Sequence, residues 1–260
     1  MKNLSVALLL AATATAPAWA ATDPATDKIL GCMRANIPKT LQIKEIELVA
    51  TDRAGGERML RGRLYGTNEN DKLRAMMKVS APADLAGAAY LLREGQSLDE
   101  MYVYVPALNK VRRISGASVD GSLWGTDLSY ADVKQVQNAF SGATTKLEGS
   151  AEIDKLPMHV LSFSPAAGEA TRYNKIRAWV DKKTCVTVKV EFYEANAVRK
   201  ILSGSAKDQK QGEGGHWYVS DALMTDVKEG TKTRVKVVGL STDKHLADRY
   251  FNPSTFYVGN

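Results

Sequence analysis

The stretch Met101–Val133, MYVYVPALNKVRRISGASVDGSLWGTDLSYADV, sets the reading of the whole chain. Its first five residues, Met101, Tyr102, Val103, Tyr104 and Val105, follow the two-residue period of a strand. Pro106 stops that strand, and Lys110-Val111-Arg112-Arg113-Ile114 resumes in extended form. A glycine-punctuated loop comes next and carries Leu123 and Trp124 between Gly121 and Gly125. From Tyr130 to Phe140 the spacing of Val133, Val136 and Phe140 predicts a helix. A helix placed midway through a run of strands is expected to lie across the sheet.

Upstream, Asp23–Asn36 reads as a helix, with Thr22 or Asp23 as cap, Pro24 in its first turn and Ile29, Leu30 and Met33 on one face. From Leu41 the period changes to two. Ile43, Glu45, Glu47 and Val49 oppose Lys44, Ile46 and Leu48. Leu60, Gly62 and Leu64 oppose Arg61, Arg63 and Tyr65, and Leu73, Ala75, Met77 and Val79 oppose Lys72, Arg74 and Lys78. Turns at Arg53–Gly56 and Asn68–Asp71 make these runs an antiparallel meander. An apolar strand, Ala86–Arg93, leads into the opening stretch.

Downstream, strands are expected at 143–153, 158–164, 173–181, 186–194, 198–203, 217–226 and 231–239, with a polar hairpin loop at Ser205–Gly215. Leu246–Tyr250 reads as a helical turn, and Phe251–Val258 closes the chain with aromatics. About ten or eleven strands are more than a flat sheet holds comfortably. The expected fold is therefore mainly β, a curled and incompletely closed antiparallel barrel with helices covering its interior.

Residues 1–20 are expected to fall outside this fold. Lys2 precedes an apolar run, Val6–Ala16, and Ala18-Trp19-Ala20 fits a cleavage site, the pattern of a secretory signal peptide cut after Ala20. The run is shorter than the ~20 residues of a membrane-spanning helix. The short basic start and alanine-rich core point to a bacterial periplasm. Residues 21–260 are read as a single domain, long enough to bury about 70–75% of the unfolded surface. The net charge is +6, or +5 without Lys2, and it is spread along the chain. That distribution excludes a nucleic-acid surface and leaves transient contact with anionic membranes open. Cys32 and Cys185 are the two cysteines. An oxidising compartment favours a disulfide between them, the alternative being a pair of buried thiols.

No motif for covalent chemistry is present. His159, His216 and His245 lack partners at ligand or triad spacing, and two cysteines with scattered histidines make no zinc site. Gly121-Ser122-Leu123-Trp124-Gly125 places its serine one position off a nucleophile elbow. Asp120, Asp127 and Asp132 read as turn formers and caps, not as a carboxylate pair. No phosphate loop or dinucleotide fingerprint occurs. The chain is expected to have no catalytic residue, no cofactor and no metal.

What remains is apolar. A curled sheet crossed by helices either packs solid or encloses a cavity for an apolar ligand. Leu64, Met77, Leu91, Met101, Val103 and Val105 are assigned to the cavity face. The opposite set, through Tyr102 and Tyr104, is the alternative, because a one-residue slip exchanges the two. Leu123, Trp124, Tyr130 and Phe140 are assigned to a lid, with core packing or a partner or membrane contact as the rival readings for Trp124. Lys110, Arg112 and Arg113 are either a solvated strand edge or contacts for lipid phosphates or an acidic partner.

Met101–Ile114 and Gly121–Tyr130 resemble the LolA-like outer-membrane lipoprotein-sorting protein family. The branch is the one found beside RND-superfamily (MMPL-type) exporters. Cys32-Met33-Arg34-Ala35-Asn36, Asp181–Cys185 running on to Phe192-Tyr193, and Tyr250–Pro253 with Phe256-Tyr257 share the resemblance, which spans essentially 21–260. It implies an incomplete barrel with helices as a lid over a hydrophobic cavity. It also implies a periplasmic carrier that takes a lipid or lipidated molecule, such as a lipoprotein, from an inner-membrane RND/MMPL-type transporter toward the outer membrane. A periplasmic sensor or adaptor that regulates a membrane partner is the alternative that the same fold would serve.

Overall fold

The computed structural model describes residues 23–96, 98–140, 144–165, 171–243 and 248–258. The expected leader with its cleavage site after Ala20, His245, and the first part of the expected 246–250 turn lie outside the described residues.

Two antiparallel meanders make up the sheet. The first is β1 (Leu41–Thr51), β2 (Glu57–Glu69), β3 (Lys72–Ala81), β4 (Ala89–Arg93), β5 (Glu100–Val105) and β6 (Lys110–Ile114). The second begins with β7 (Thr144–Ile153), β8 (Leu156–Ser164), β9 (Lys175–Asp181), β10 (Thr187–Glu194) and β11 (Ala197–Gly204). A small ribbon, β12 (Gln209–Gln211) with β13 (Trp217–Val219), stands apart from it. The chain then returns through β14 (Asp221–Asp226) and β15 (Thr231–Asp243). Thirteen strands pair in the order β6-β5-β4-β3-β2-β1-β15-β14-β11-β10-β9-β8-β7.

That exceeds the ten or eleven strands expected, and one expected strand is divided. The run 217–226 breaks at Ser220, whose N–H donates to the Asp208 carbonyl at 2.8 Å while its own carbonyl accepts the Val237 N–H at 2.9 Å. Three hairpins close with two-residue turns in which both residues are left-handed: Asn70-Asp71, Asp154-Lys155 and Ala195-Asn196. This is the turn whose twist matches that of the flanking strands.

Among the described residues no ladder joins edge strands β6 and β7, so the sheet is open. Its ends still approach one another through loops. The Arg172 N–H, between β8 and β9, donates to Asp120 Oδ2 just past β6 at 2.6 Å. Edge strand β6 is short and carries the exposed Lys110, Arg112 and Arg113, which discourage pairing with another chain.

Helix α1 (Pro24–Ala35) forms as expected and buries Thr26, Ile29 and Met33. The second helix is much shorter than the expected 130–140. Only Val133–Val136, α2, is α-helical, because Gln137 leaves helical geometry and Asn138 adopts φ +59°. Asn138 is held there by three hydrogen bonds. Its Nδ2 donates to the carbonyls of Met33 (3.1 Å) and Cys185 (3.0 Å), and its Oδ1 accepts the Thr187 N–H (3.0 Å). Tertiary bonds thus outcompete the helix that the apolar spacing favours.

The main core lies on the inner face and joins Met33, Leu64, Met77, Tyr90, Leu123 and Phe192. The C-terminal segment straps the outer face of the first meander, where Tyr250 stacks on Tyr65 at 4.9 Å and Tyr257 on Tyr104 at 4.2 Å. Cys32 and Cys185 form a disulfide, Cα–Cα 5.7 Å, across 153 residues of sequence. It fastens α1 to the turn between β9 and β10. Replacing both cysteines by serine is expected to lower stability by about 3–5 kcal/mol, since the loop it closes is long. Urea denaturation of the variant against the oxidised protein checks this.

Candidate functional site

The inner face of β1 presents Gln42, Lys44, Ile46 and Leu48 in succession, all buried. Alternation puts all four on one side, and Leu64 of β2 and Met77 of β3 continue that side next to them. Val190, Leu202 and Val235 complete the wall from the second meander. Over this wall lie Ile37 and Pro38 after α1, then Leu123 and Leu128 of the central loop, and Val133, Val136 and Gln137 around α2. The enclosed free space is about 80 Å³. Six β1 positions separate Gln42 from Leu48, a run of roughly 20 Å at strand rise. Along it the lining changes from polar at Gln42 and Lys44 to apolar at Ile46 and Leu48.

Charged groups at the rim hold the cover down. Glu94, buried at the end of β4, accepts both guanidinium N–H groups of Arg34 on α1 (2.7 and 2.8 Å) and the Leu73 N–H (2.8 Å). Lys134 of α2 stands 3.7 Å from Glu94 and donates to Asp99 at 2.9 Å. Burial raises the Glu94 carboxyl, but the Arg34 hydrogen bonds, the Lys134 charge and the Leu73 N–H outweigh it and hold the group at about 2. On the other side Lys200 Nζ donates to the Asp127 carbonyl at 2.7 Å and to Asp132 at 3.3 Å. The Thr231 and Thr233 hydroxyls both donate to the Asp127 carboxylate. Asp132 accepts the Ser129 N–H at 2.7 Å, so the three loop acids act as anchors and turn formers.

Lys44 is the charged side chain that reaches the cavity wall from the centre of the sheet. Its Nζ donates to Gln137 Oε1 at 2.8 Å and lies 5.6 Å from the Tyr218 ring. A side chain at Gly66 would place its Cβ 2.6 Å from Gln137 Nε2, so glycine is what lets Gln137 lie against the sheet. Burial pushes the Lys44 ammonium down to about 8.

The residues singled out in the sequence separate into groups. Leu64, Met77 and Leu123 line the cavity. Met101 joins the same core further along the sheet. Val103 is buried opposite Tyr90 on that face, and Val105 is half-buried at the edge opposite Lys110. Leu91 is a correction. It packs outward with Tyr65, Met76 and Phe256, because β4 pairs Tyr90 with Met77 and Leu91 with Met76. Tyr102 and Tyr104 belong to that outer face as well.

Trp124 is half-buried against the core at φ +53°. Tyr130 packs beside Tyr90, whose hydroxyl donates to the Tyr130 carbonyl at 2.6 Å, and Phe140 stacks on Phe163 at 5.1 Å. None of these three touches the cavity. The sequence reading passed over Lys44 and Gln137. For Lys44 a signal was present, since it shares one strand face with the aliphatic Ile46 and Leu48. Gln137 gave none, as its place depends on where α2 ends.

A wider cleft of about 490 Å³ lies on the outer face, but ion pairs rim it, Arg61 with Glu47 at 2.8 Å and Arg63 with Glu45 at 3.4 Å. Among the described residues no cluster of three or more His, Cys, Asp or Glu is placed to hold a metal, and no helix is long and apolar enough to cross a membrane.

The sheet, its helical cover and the cavity between them define the outer-membrane lipoprotein-sorting, LolA-like class of fold. A solved DUF1329 family protein from Desulfovibrio piger is 26% identical, with a TM-score of 0.79, and the match covers 90% of this chain and 99% of that one. A domain from Vibrio parahaemolyticus described as an outer membrane lipoprotein-sorting protein is 22% identical, TM-score 0.79, covering 88% and 97%. A LolA superfamily protein from Nitrosomonas europaea is 17% identical, TM-score 0.64, covering 87% and 97%. The chain belongs to a family described as uncharacterized protein, whose model matches residues 71–256. None of these is described as an enzyme. No curated protein matches the chain.

Two predictions follow from the charges. The folded Lys44 value of about 8 lies below the ordinary 10.5, so the unfolded chain binds more protons between those values and stability rises with pH there. Lys44→Met is expected to remove that rise and to stabilise the protein by about 2 kcal/mol at neutral pH, net of the lost Gln137 hydrogen bond. Urea midpoints from pH 6 to 10.5 check it. Glu94 has the opposite sign. Its contribution is complete above its ordinary value of 4.5 and is lost as pH falls toward 2. Glu94→Gln is expected to cost about 3 kcal/mol at neutral pH and to flatten the acid limb of the same titration.

Proposed function

We propose that this protein is a periplasmic carrier that buries a lipid or lipidated molecule beneath the cover formed by α1, α2 and the central loop. The observation that carries this reading is the apolar cavity at the centre of a LolA-like sheet, closed by segments that charged hydrogen bonds fasten at the rim. Each acyl CH2 moved out of water contributes roughly 0.8 kcal/mol, so cargo is held without covalent chemistry. The free space of about 80 Å³ is small beside the roughly 300–1,000 Å³ of ordinary ligand pockets. Loading therefore displaces the cover, and ionic latches suit that step because water replaces their partners once they open.

The disulfide fits an oxidising compartment, and the 1–20 leader fits export into the periplasm. In this reading the donor is an inner-membrane RND/MMPL-type transporter and the acceptor is the outer membrane. Lys110, Arg112 and Arg113, exposed on the free edge strand, are assigned to contact with the donor or with lipid phosphates.

Native mass spectrometry of the protein purified from its own periplasm is expected to find bound lipid. Leu128→Trp, which fills the cavity from the cover side, is expected to lower its occupancy several-fold. Wild-type protein that carries no lipid and binds no fluorescent fatty acid would overturn the reading.

A further inference from the structure

Four cationic side chains are buried among the described residues: Lys44, Lys134, Arg199 and Lys200. Three of them meet carboxylates. Lys134 has Asp99 at 2.9 Å, Arg199 has Asp226 at 2.9 Å, and Lys200 has Asp132 at 3.3 Å. Lys44 is the exception. It is 6% exposed, and among the described residues no carboxylate lies within 4.0 Å of its ammonium. Its partners are one neutral amide oxygen, from Gln137, and the face of Tyr218.

An ammonium with three N–H donors, set in an apolar wall with one neutral acceptor, is a costly arrangement. Nothing in the sheet requires it. Ile46 and Leu48 show that neighbouring positions on the same strand face take aliphatic side chains. The charge also has a definite place in the cavity, at the polar end of the run from Gln42 to Leu48.

We propose that Lys44 is the headgroup site of the cavity and that the cargo is an acidic amphiphile, whose single oxyanion takes the place of Gln137 Oε1 on the Lys44 ammonium while its chain runs along β1 toward Leu48, Leu128 and Val235. The proposal rests on the carrier reading and narrows it, from any lipid to those with an anionic oxygen at the head. A charge-assisted hydrogen bond formed away from water is stronger than the neutral one it replaces, and it removes the unpaired buried charge. An uncharged lipid of the same length gains the apolar burial but leaves Lys44 as it was.

The test measures displacement of the uncharged fluorophore N-phenyl-1-naphthylamine from delipidated protein by three C16 compounds: palmitate, hexadecyl phosphate and hexadecanol. The wild type is expected to prefer palmitate or hexadecyl phosphate over hexadecanol by about tenfold or more, the size of one charge-assisted bond. In Lys44→Met that ratio is expected to fall to about one, and Lys44→Arg is expected to restore most of it. Which acid gives the larger ratio tells carboxylate from phosphate. Inorganic phosphate alone is expected to leave the fluorophore in place, and displacement by it would overturn the lipid origin of the anion. Equal ratios in wild type and Lys44→Met, with all three lipids bound, would overturn the headgroup site and leave the carrier standing. Failure of all three lipids to bind the wild type would overturn the carrier reading, and this inference with it.

Discussion

Strand β1 pairs with β15 along its full length, from Leu41 opposite Asp243 to Thr51 opposite Lys232. On its other side it pairs with β2. This one strand therefore holds two meanders in a single sheet, and its inner face lies where they meet. The cavity sits there for that reason, with walls drawn from both halves of the chain. The pairing joins residues about 200 positions apart, so much of the sheet waits on a contact with high loop-closure entropy. The disulfide ties α1 to the β9–β10 turn of the second meander and so joins the two halves of the chain at a second point.

The ladder between β1 and β15 is interrupted at one point. Glu45 faces Gly239 and Ile46 faces Val237, which leaves Val238 as an extra residue, pointing to solvent. A bulge adds local twist and re-aims the side chains beside it. This one falls between Lys44 and Ile46, where the cavity lining turns from polar to apolar. Gly239 belongs to the same device, since a Cβ there would lie 2.9 Å from Glu45 Oε2. The sheet and its cover are held by different means. The sheet is held by ladders and apolar burial, whereas the cover adds to its apolar contacts the disulfide on α1 and a few buried ionic contacts at its rim. The cover's apolar side chains are continuous with the core, and the charged contacts add discrete attachment points at its rim.

Much of this was legible in the sequence because strands announce themselves locally. The alternation through β1, β2 and β3, the turn residues Asn70 and Asp71, and the proline of α1 are local signals, and each appears where expected. Leu91 shows where local reasoning ends. The run Ala89-Tyr90-Leu91-Leu92 is buried on both faces, so its sequence carries no alternation to fix its register. Only pairing with Met76 and Met77 decides which residue turns inward. The length of α2 was illegible for a related reason. Val133, Val136 and Phe140 have helical spacing, but Asn138 has three tertiary hydrogen bonds to gain by leaving the helix. The cover as a whole is organised by contacts between distant segments, Asp127 with Thr231 and Thr233 among them, and no window of sequence contains both partners.

Lys44 stands at the intersection of these arguments. Its alternation is local and its burial follows from β1 being central, yet its lack of a carboxylate follows from neither. Buried with no carboxylate beside it, a lysine at this point costs the fold stability, and the same burial lowers its ammonium. Gly66 of β2, opposite Gln42, leaves room for Gln137 to supply a single neutral acceptor, which is less than a buried cation ordinarily requires. Where a structure keeps a destabilising charge in a cavity and supplies only a partial partner, the arrangement becomes favourable when the missing partner arrives with a ligand. In the proposed carrier, the side chain that costs the fold stability strengthens the complex with an anionic cargo. That difference between two states is what a carrier needs in order to distinguish cargo from water.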